Sequence, residues 1–377
     1  LQGSVPLYTP HPTGSRSSHP ATRRASRGLS MREARTSAAA GAGIDLEMMR
    51  LVAELYYLRD LRQPEIARLT KFSISKVSRL LAHARELGIV RISVEPASAE
   101  QPPLGRELAD ALGVDVHVTP GRESPPTVAA RLCGVAAVPY VVEQLPVAGT
   151  IGLAGGYTVE AFVSALPRLD RPNVTIVPLV GGWDARNPHL DSNEIARHFG
   201  ERIGAAVRFL HAPGMLDSVA TKDALLADSA IQATTAYWQH LEFAIAGVSG
   251  GPLARPGYGT VMDRLEQDGR NRLVDKGVVG DVSGHLFRID GTIIDDEWSR
   301  RTISIPLDLL TRTPRVVVVA AGSNKISGII GSARTGLVHA IVTDRPTAEA
   351  ALQVLRGERR TRPRATERRQ EVAAPAG

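Results

Sequence analysis

Ser75, Lys76, Ser78 and Arg79 fall within five residues of one another, and hydroxyls mixed with long cations at that spacing are the side chains that meet phosphates and base edges. They lie on the second of two short helices expected within QPEIARLTKFSISKVSRLLAHAREL, residues 63–87. Gln63 and Pro64 open the first helix, because a proline in its first turn gives up no intrahelical hydrogen bond, and Ile66, Ala67 and Leu69 form its inward face. Ser73 is placed to cap the second helix. There Ile74, Val77, Leu80, Leu81, Ala84 and Leu87 recur at three- and four-residue steps, which buries one stripe and leaves the other free to project. Gly88 ends it. Residues 62–91 carry seven cations against two anions, net +5, a footprint suited to a phosphate backbone. The same spacing also fits a plain solvated helical hairpin. The turn, Thr70, Lys71 and Phe72, lacks the usual glycine, and a non-glycine residue held at positive φ costs on the order of 1 kcal/mol unless Phe72 packs inward to offset it.

A second set of residues with chemical potential closes a series of apolar runs. Gly155, Gly156, Tyr157 and Thr158 follow VAGTIGLA and lead into TVEAFVSAL, a glycine turn feeding a helix N-terminus, where free N–H groups and the helix dipole favour an anion such as phosphate. It is neither GxGxxG nor a Walker loop, so a dinucleotide or nucleoside triphosphate is not supported. Gly181 and Gly182 follow PLV, Gly280 and Asp281 follow KGVV, and Gly322, Ser323, Asn324 and Lys325 follow RVVVVAA. Lys325 is a candidate counter-charge for a phosphate, and Asp281 can accept hydrogen bonds from sugar hydroxyls. Each has a plainer role as well: Lys325 as an exposed first-turn lysine, Asp281 as a loop cap, the glycines as ordinary strand-to-helix turns.

The elements that must position these groups divide the chain in two. A helix from Asp45 to about Leu58, with Leu46, Met49, Val52, Ala53 and Tyr56 inward, completes a three-helix core with the pair above, and VRISVE (90–95) alternates like a strand. Beyond it, residues 147–154, 173–180, 243–249, 315–322 and 339–344 are short, rich in β-branched residues and separated by helical patterns. Parallel strands covered on both faces look this way. The expected fold class is therefore α/β: an N-terminal helix-turn-helix domain followed by a Rossmann-like parallel sheet, whose ligand binds beyond the carboxyl ends of the strands.

The 377-residue chain carries a net charge of +6, but its tails hold it. Residues 1–35 contribute +5 and 356–371 contribute +4, which leaves the stretch between at −3 and makes the large domain no polyanion binder in itself. Residues 1–43 and the Arg-rich end from about Gly357 lack apolar periodicity and are expected to be disordered. The chain begins at Leu1 while Met31 stands just before the first helix, which leaves open whether residues 1–30 belong to the native protein. The single cysteine, Cys133, excludes an intrachain disulfide and fits a reducing compartment, and the scattered histidines lack the spacing of metal ligands. No apolar run approaches the ~20 residues that span a bilayer. A cytoplasmic protein without metal or organic cofactor is expected.

The helical pair with GIVRISV behind it, then IGLAGGYT, VPLVGG, the NEIA stretch at Asn193, HAPGMLDS, GVVGDVSGHLF, and AAGSNKISGIIGSARTGLVHAIVTDRPTAEAALQVL stand in an order that resembles SorC-type sugar-binding transcriptional regulators across residues 44–356. The resemblance implies a DNA-binding domain at 44–96 using Gln63, Ser73, Ser75, Lys76, Ser78 and Arg79, a linker at 97–103, and an effector domain at 104–356 that resembles sugar-phosphate isomerases and deaminases. It implies a phosphorylated sugar as effector, with phosphate contacts from Gly156, Tyr157 and Thr158, Lys325 nearby, Asp281 facing the sugar, Gly155, Gly181 and Gly182 at the glycine turns, and Asn193 as a further contact. It also implies a homo-oligomer, a tetramer, on a pseudo-palindromic operator. Two departures stand out: Gly155 replaces a tryptophan frequent in the family, which is expected to widen the pocket, with Tyr157 filling its other side, and Val180 replaces a basic residue of some members, so no Schiff base or ion pair is expected there. The rival is an isomerase or deaminase with an added helical domain, for which Asp281 and the cluster Asp290, Asp295, Asp296 and Glu297 would supply acid and base. RIDGTIIDDE reads more simply as a solvated hairpin.

Overall fold

A computed structural model describes residues 46–90, 103–182, 188–253 and 265–361, and the chain divides into two compact units, through Ala99 and from Glu100. The first unit holds α1 (46–57), α2 (Gln63–Thr70) and α3 (Ile74–Glu86). Glu65 accepts the Arg62 N–H at 2.8 Å and Ser73 Oγ accepts the Lys76 N–H at 3.2 Å, so each helix of the pair starts on a satisfied donor. Val52, Ala53, Ile66, Ala67, Val77, Leu80, Leu81 and Ala84 make the core. Leu46, Leu69, Ile74 and Leu87, expected inside, are exposed, because three short helices close over only the central residues of each stripe. Lys71 takes the left-handed turn conformation at φ 58°, and Phe72 packs partly inward as the missing glycine requires. Gly88, at φ 71°, ends α3. The strand expected at 90–95 lies, from Arg91 on, outside the described residues, as do 1–45 and the end of the chain from 362.

The second unit runs α4 (Pro103–Leu112), β1 (Asp115–Thr119), α5 (Pro126–Ala136), α6 (Val138–Val142), β2 (Ala148–Leu153), α7 (Tyr157–Ala165), β3 (Asn173–Pro178), α8 (Ser192–Ile203), β4 (Ala206–Val207), α9 (Val219–Leu226), α10 (Ser229–Thr235) and β5 (Leu241–Ala246). It continues with α11 (Gln267–Asp275), β6 (Val278–Val282), β7 (His285–Arg288), β8 (Ile293–Ile294), α12 (Glu297–Arg300), α13 (Leu307–Arg312), β9 (Val316–Val319), α14 (Ile326–Arg334), β10 (Ala340–Asp344) and α15 (Arg345–Thr361). Seven strands form one sheet in the order β1-β10-β9-β5-β2-β3-β4, and every pairing in it is parallel. Its five inner strands are the five runs singled out in the sequence. The edges β1 and β4 escaped notice: DVHVT alternates with polar residues, and β4 is two residues long.

Successive valines of β9 show why these strands read as continuous apolar runs. Val316 and Val318 enter a core with Leu108 of α4, Ile329 of α14 and Leu352 of α15, whereas Val317 and Val319 enter a second core with Cys133 of α5, Phe162 of α7 and Phe199 of α8. Both faces are covered.

Three expectations need correction. Gly280 and Asp281 sit inside β6, in a separate antiparallel sheet β6-β7-β8, and not at the end of a parallel strand. The reason is the pair Ser283 and Gly284, at φ 49° and 85°, which folds β6 back on β7 as a two-residue hairpin turn. RIDGTIIDDE does form the β7–β8 hairpin, but Asp296 within it is buried, caps α12 through the Trp298 N–H and pairs with Lys276 Nζ at 2.6 Å. Finally, α15 continues past Gly357 to Thr361, and the Arg334–Glu358 ion pair at 2.6 Å ties its last turns to α14.

No helix among the described residues is long and apolar enough to cross a membrane, and no group of three or more His, Cys, Asp or Glu among them could hold a metal ion.

Candidate functional site

The chain leaves β2 toward β3 and β4 at one edge, then returns to β5 on the other side of β2 and proceeds to β9 and β10. The sheet therefore reverses direction between β2 and β5, and a crevice opens at the carboxyl ends of strands at such a point. The segments after β2, β5 and β9 each carry glycine, at Gly155 and Gly156, Gly247 and Gly322. A Cβ on Gly247 would lie 3.8 Å from the Gly155 carbonyl, so the floor of the crevice is bare backbone.

Gly156, at φ 131°, starts α7 without any capping side chain, and the space where its Cβ would be is open. The first-turn N–H groups of α7 thus face the crevice. Thr158, in that first turn, is 1% exposed, and its Oγ1 has no hydrogen-bond partner. Tyr157 beside it is half-buried. Gly155 does not widen the pocket as expected: its missing Cβ would stand 3.0 Å from the Leu190 carbonyl and 3.3 Å from Ser192 Oγ, so the start of α8 has closed on the vacated space.

Lys325 begins α14 on the far side of β5. Its amine makes no hydrogen bond or ion pair among the described residues, and burial pushes it down to about 8, against the opposing pull of Cys133 and Asp281. Asp281 is buried in turn, and burial holds its carboxyl above the usual range despite hydrogen bonding from Ser249 and from the Gly284 N–H at 3.2 Å. The two α5 residues Cys133 and Gly134 lie between the two ends of the crevice. Cys133 responds to the Lys325 charge, while a Cβ on Gly134 would fall 2.3 Å from the Thr158 carbonyl, so α5 and α7 meet backbone to backbone. Burial raises the Cys133 thiol to about 12, which leaves it inert.

The structure thus brings Gly155, Gly156, Tyr157, Thr158, Asp281 and Lys325 to the switch point. Three other candidates are engaged elsewhere. The Gly181 and Gly182 N–H groups donate to the carbonyls of Ile303 (2.9 Å) and Ala212 (2.8 Å), and any Cβ on Gly181 would strike the Ala212–Pro213 backbone. Asn193 spends its amide on both backbone groups of Leu210, at 3.0 and 2.8 Å.

Three residues at the crevice were not among the candidates. Ser249, just beyond β5, accepts the Asp281 N–H at 2.9 Å. Ser192 Oγ and Asn324 Oδ1 are buried without partners. Asn324 stands next to Lys325 in a motif already singled out, but nothing local distinguishes a sealed asparagine from an exposed one.

On the first unit, Ser75, Lys76, Ser78 and Arg79 are exposed, Gln63 is half-buried, and Ser73 Oγ lies 3.1 Å from Ser75 Oγ. Lys76 Nζ rests 4.1 Å from the centre of the Phe72 ring, a cation–π contact that draws it toward the turn.

Residues 103–353, most of the second unit, match the family model Sugar-bind, described as a sugar-binding domain. The chain belongs to that family. It is 27% identical over 317 residues to the sorbitol operon regulator of Klebsiella pneumoniae, covering 82% of this chain and 98% of that protein. It is 27% identical over 315 residues to the deoxyribonucleoside regulator of Bacillus subtilis, covering 80% and 96%. The crystal structure of the full-length sorbitol operon regulator SorC from Klebsiella pneumoniae superposes with a TM-score of 0.65 at 26% identity, covering 82% of this chain and 99% of that one. This SorC-type chain is a DNA-binding, sugar-responsive transcriptional regulator, not an isomerase or deaminase: its relatives are regulators along nearly their whole length. In the acidic cluster of the rival reading, Asp296 is paired and capping and Asp290 is bonded to the Thr292 N–H.

Proposed function

We propose that the effector is a phosphorylated sugar whose phosphate lies at the start of α7, with Lys325 as its counter-charge and Asp281 and Ser249 toward the sugar. The observation that carries this is the pairing of an unpartnered buried hydroxyl on an uncapped helix N-terminus, Thr158, with an unpartnered amine at the next strand end but one, Lys325. An anionic ligand would satisfy both together. The Thr158 oxygen is sealed from solvent, so binding entails a local opening at α7, and that movement is available to carry the signal. Gly181, Gly182 and Asn193 shape the crevice through the backbone segments they hold.

In this proposal the first unit grips operator DNA through the exposed Ser75, Lys76, Ser78 and Arg79, with Gln63 and Ser73 at the helix starts. The regulator works in the cytoplasm as a homo-oligomer, a tetramer, on a pseudo-palindromic site, because two weak half-site contacts reinforce each other. Coupling between effector and DNA is reciprocal. A thermal-shift comparison of phosphorylated sugars with their neutral parents tests the effector class, since a ligand of the folded state raises stability by RT ln(1 + [L]/Kd). The phosphorylated set is expected to raise Tm, and equal shifts by the free sugars would overturn the assignment.

A further inference from the structure

Ile74 is the first residue of α3, directly after the Ser73 cap, and it is 53% exposed. The buried side of the helix is defined by Val77, Leu80, Leu81 and Ala84, and at about 100° per residue Ile74 stands at the edge of that stripe, beside Leu81 and toward Ser78, at the N-terminal end where the three-helix core no longer covers it. Leu58, Leu69 and Leu87 are exposed in the same unit, but they stand at or just beyond the C-terminal ends of their helices. Ile74 alone among these occupies the N-terminal turn of the helix that carries Ser75, Lys76, Ser78 and Arg79. That turn is the part of a recognition helix that meets base edges.

We infer that Ile74 reads a thymine through its 5-methyl group and so sets part of the operator sequence. The inference rests on the DNA-binding reading of α3 proposed above. An isoleucine has no donor or acceptor, and the apolar feature a base pair offers in the major groove is the thymine methyl. Its β-branched side chain is stiff at χ1, so little rotamer freedom is lost when it is pressed against a base. Charge and sequence preference then divide along the helix: Lys76 and Arg79 supply salt-dependent attraction, and Ile74 supplies a contact that carries no salt dependence.

The test uses the full chain and a duplex selected from a random-sequence pool, with each thymine replaced singly by deoxyuridine to remove its methyl. For the parent protein one such replacement in each half-site is expected to weaken binding about fourfold, the worth of one buried methyl. Ile74→Ala is expected to weaken binding to the thymine duplex by a similar factor, to leave the slope of affinity against salt unchanged, and to make the protein indifferent to that one deoxyuridine. If Ile74→Ala shows the same deoxyuridine profile as the parent, or the selected duplex has no methyl-dependent position, the inference is overturned while DNA binding by α3 stands. If Lys76→Ala with Arg79→Ala leaves DNA binding intact, the α3 reading itself fails and takes this inference with it. Because Ile74 is exposed, Ile74→Ala should unfold at the parent Tm, which confirms that any loss comes from the interface.

Discussion

On α3, Ser75, Lys76, Ser78 and Arg79 stand in solvent, whereas at the crevice Thr158, Ser192 and Asn324 hold polar atoms sealed from solvent and without partners. The first arrangement costs the free protein nothing, because water satisfies every exposed group. The second costs roughly 1 to 3 kcal/mol for each orphaned group, which a ligand at the proposed site would relieve. A regulator needs both. Its DNA surface must be able to let go, and its effector crevice must be strained enough that filling it changes the balance between conformations.

The largest test of this contrast is on the solvent side. Lys76→Ala with Arg79→Ala is expected to weaken DNA binding by about a hundredfold or more at low salt and to flatten its salt dependence, measured by fluorescence anisotropy across a salt series. Thermal stability should hardly change, since both side chains are exposed.

In the crevice the expected pattern reverses. Thr158→Val or Lys325→Ala should weaken binding of a phosphorylated sugar about tenfold or more, by calorimetry, while leaving effector-free DNA affinity unchanged. Thr158→Val should also keep or raise the Tm of the ligand-free protein, because it removes a buried hydroxyl that nothing satisfies. Normal effector response in both variants would move the site away from the switch point.

The lysine adds a pH signature. Because burial has lowered Lys325 from the ordinary 10.5 to about 8, its amine in the folded protein is charged below about 8 and neutral above it, and the cost of burying it is full below about 8 and fades as pH rises from about 8 to 10.5. An anionic effector favours the charged amine, so binding takes up a proton above pH 8. Affinity should fall by about thirtyfold between pH 7 and pH 9.5 if the amine stays charged in the complex. Lys325→Arg, charged throughout, should bind without that slope.

The smallest effect belongs to the turn before α3. Lys71→Gly should stabilise the first unit by up to about 1 kcal/mol, read from chemical denaturation, because glycine accepts the left-handed conformation without strain.

The helix pair was legible because everything that makes it is local: Pro64 and Ser73 mark its helix starts, Val77, Leu80, Leu81 and Ala84 its buried stripe, and the cations its outer face. The inner strands were legible too, since a strand buried on both faces has to be apolar at every position, as β9 is. The ends of each stripe were not, and Leu69, Ile74 and Leu87 were misplaced because periodicity says which side a residue takes but not how far a neighbour reaches along it.

By itself, the sequence determined the helix pair and the five inner strands, and that glycine turns would follow β2 and β9, because these depend on neighbours a few residues apart. Only the tertiary structure decided which of those turns share a crevice. Strand order set Gly156 and Lys325 on either side of β5 and sent Gly181 and Gly182 against the Ala212–Pro213 backbone. The hairpin at Ser283 and Gly284 moved Asp281 from a parallel strand end into β6, and the turn from β8 into α12 buried Asp296 against Lys276. Burial without a partner, as at Thr158, Ser192 and Asn324, depends on atoms far away in the chain, and no local pattern of residues encodes it.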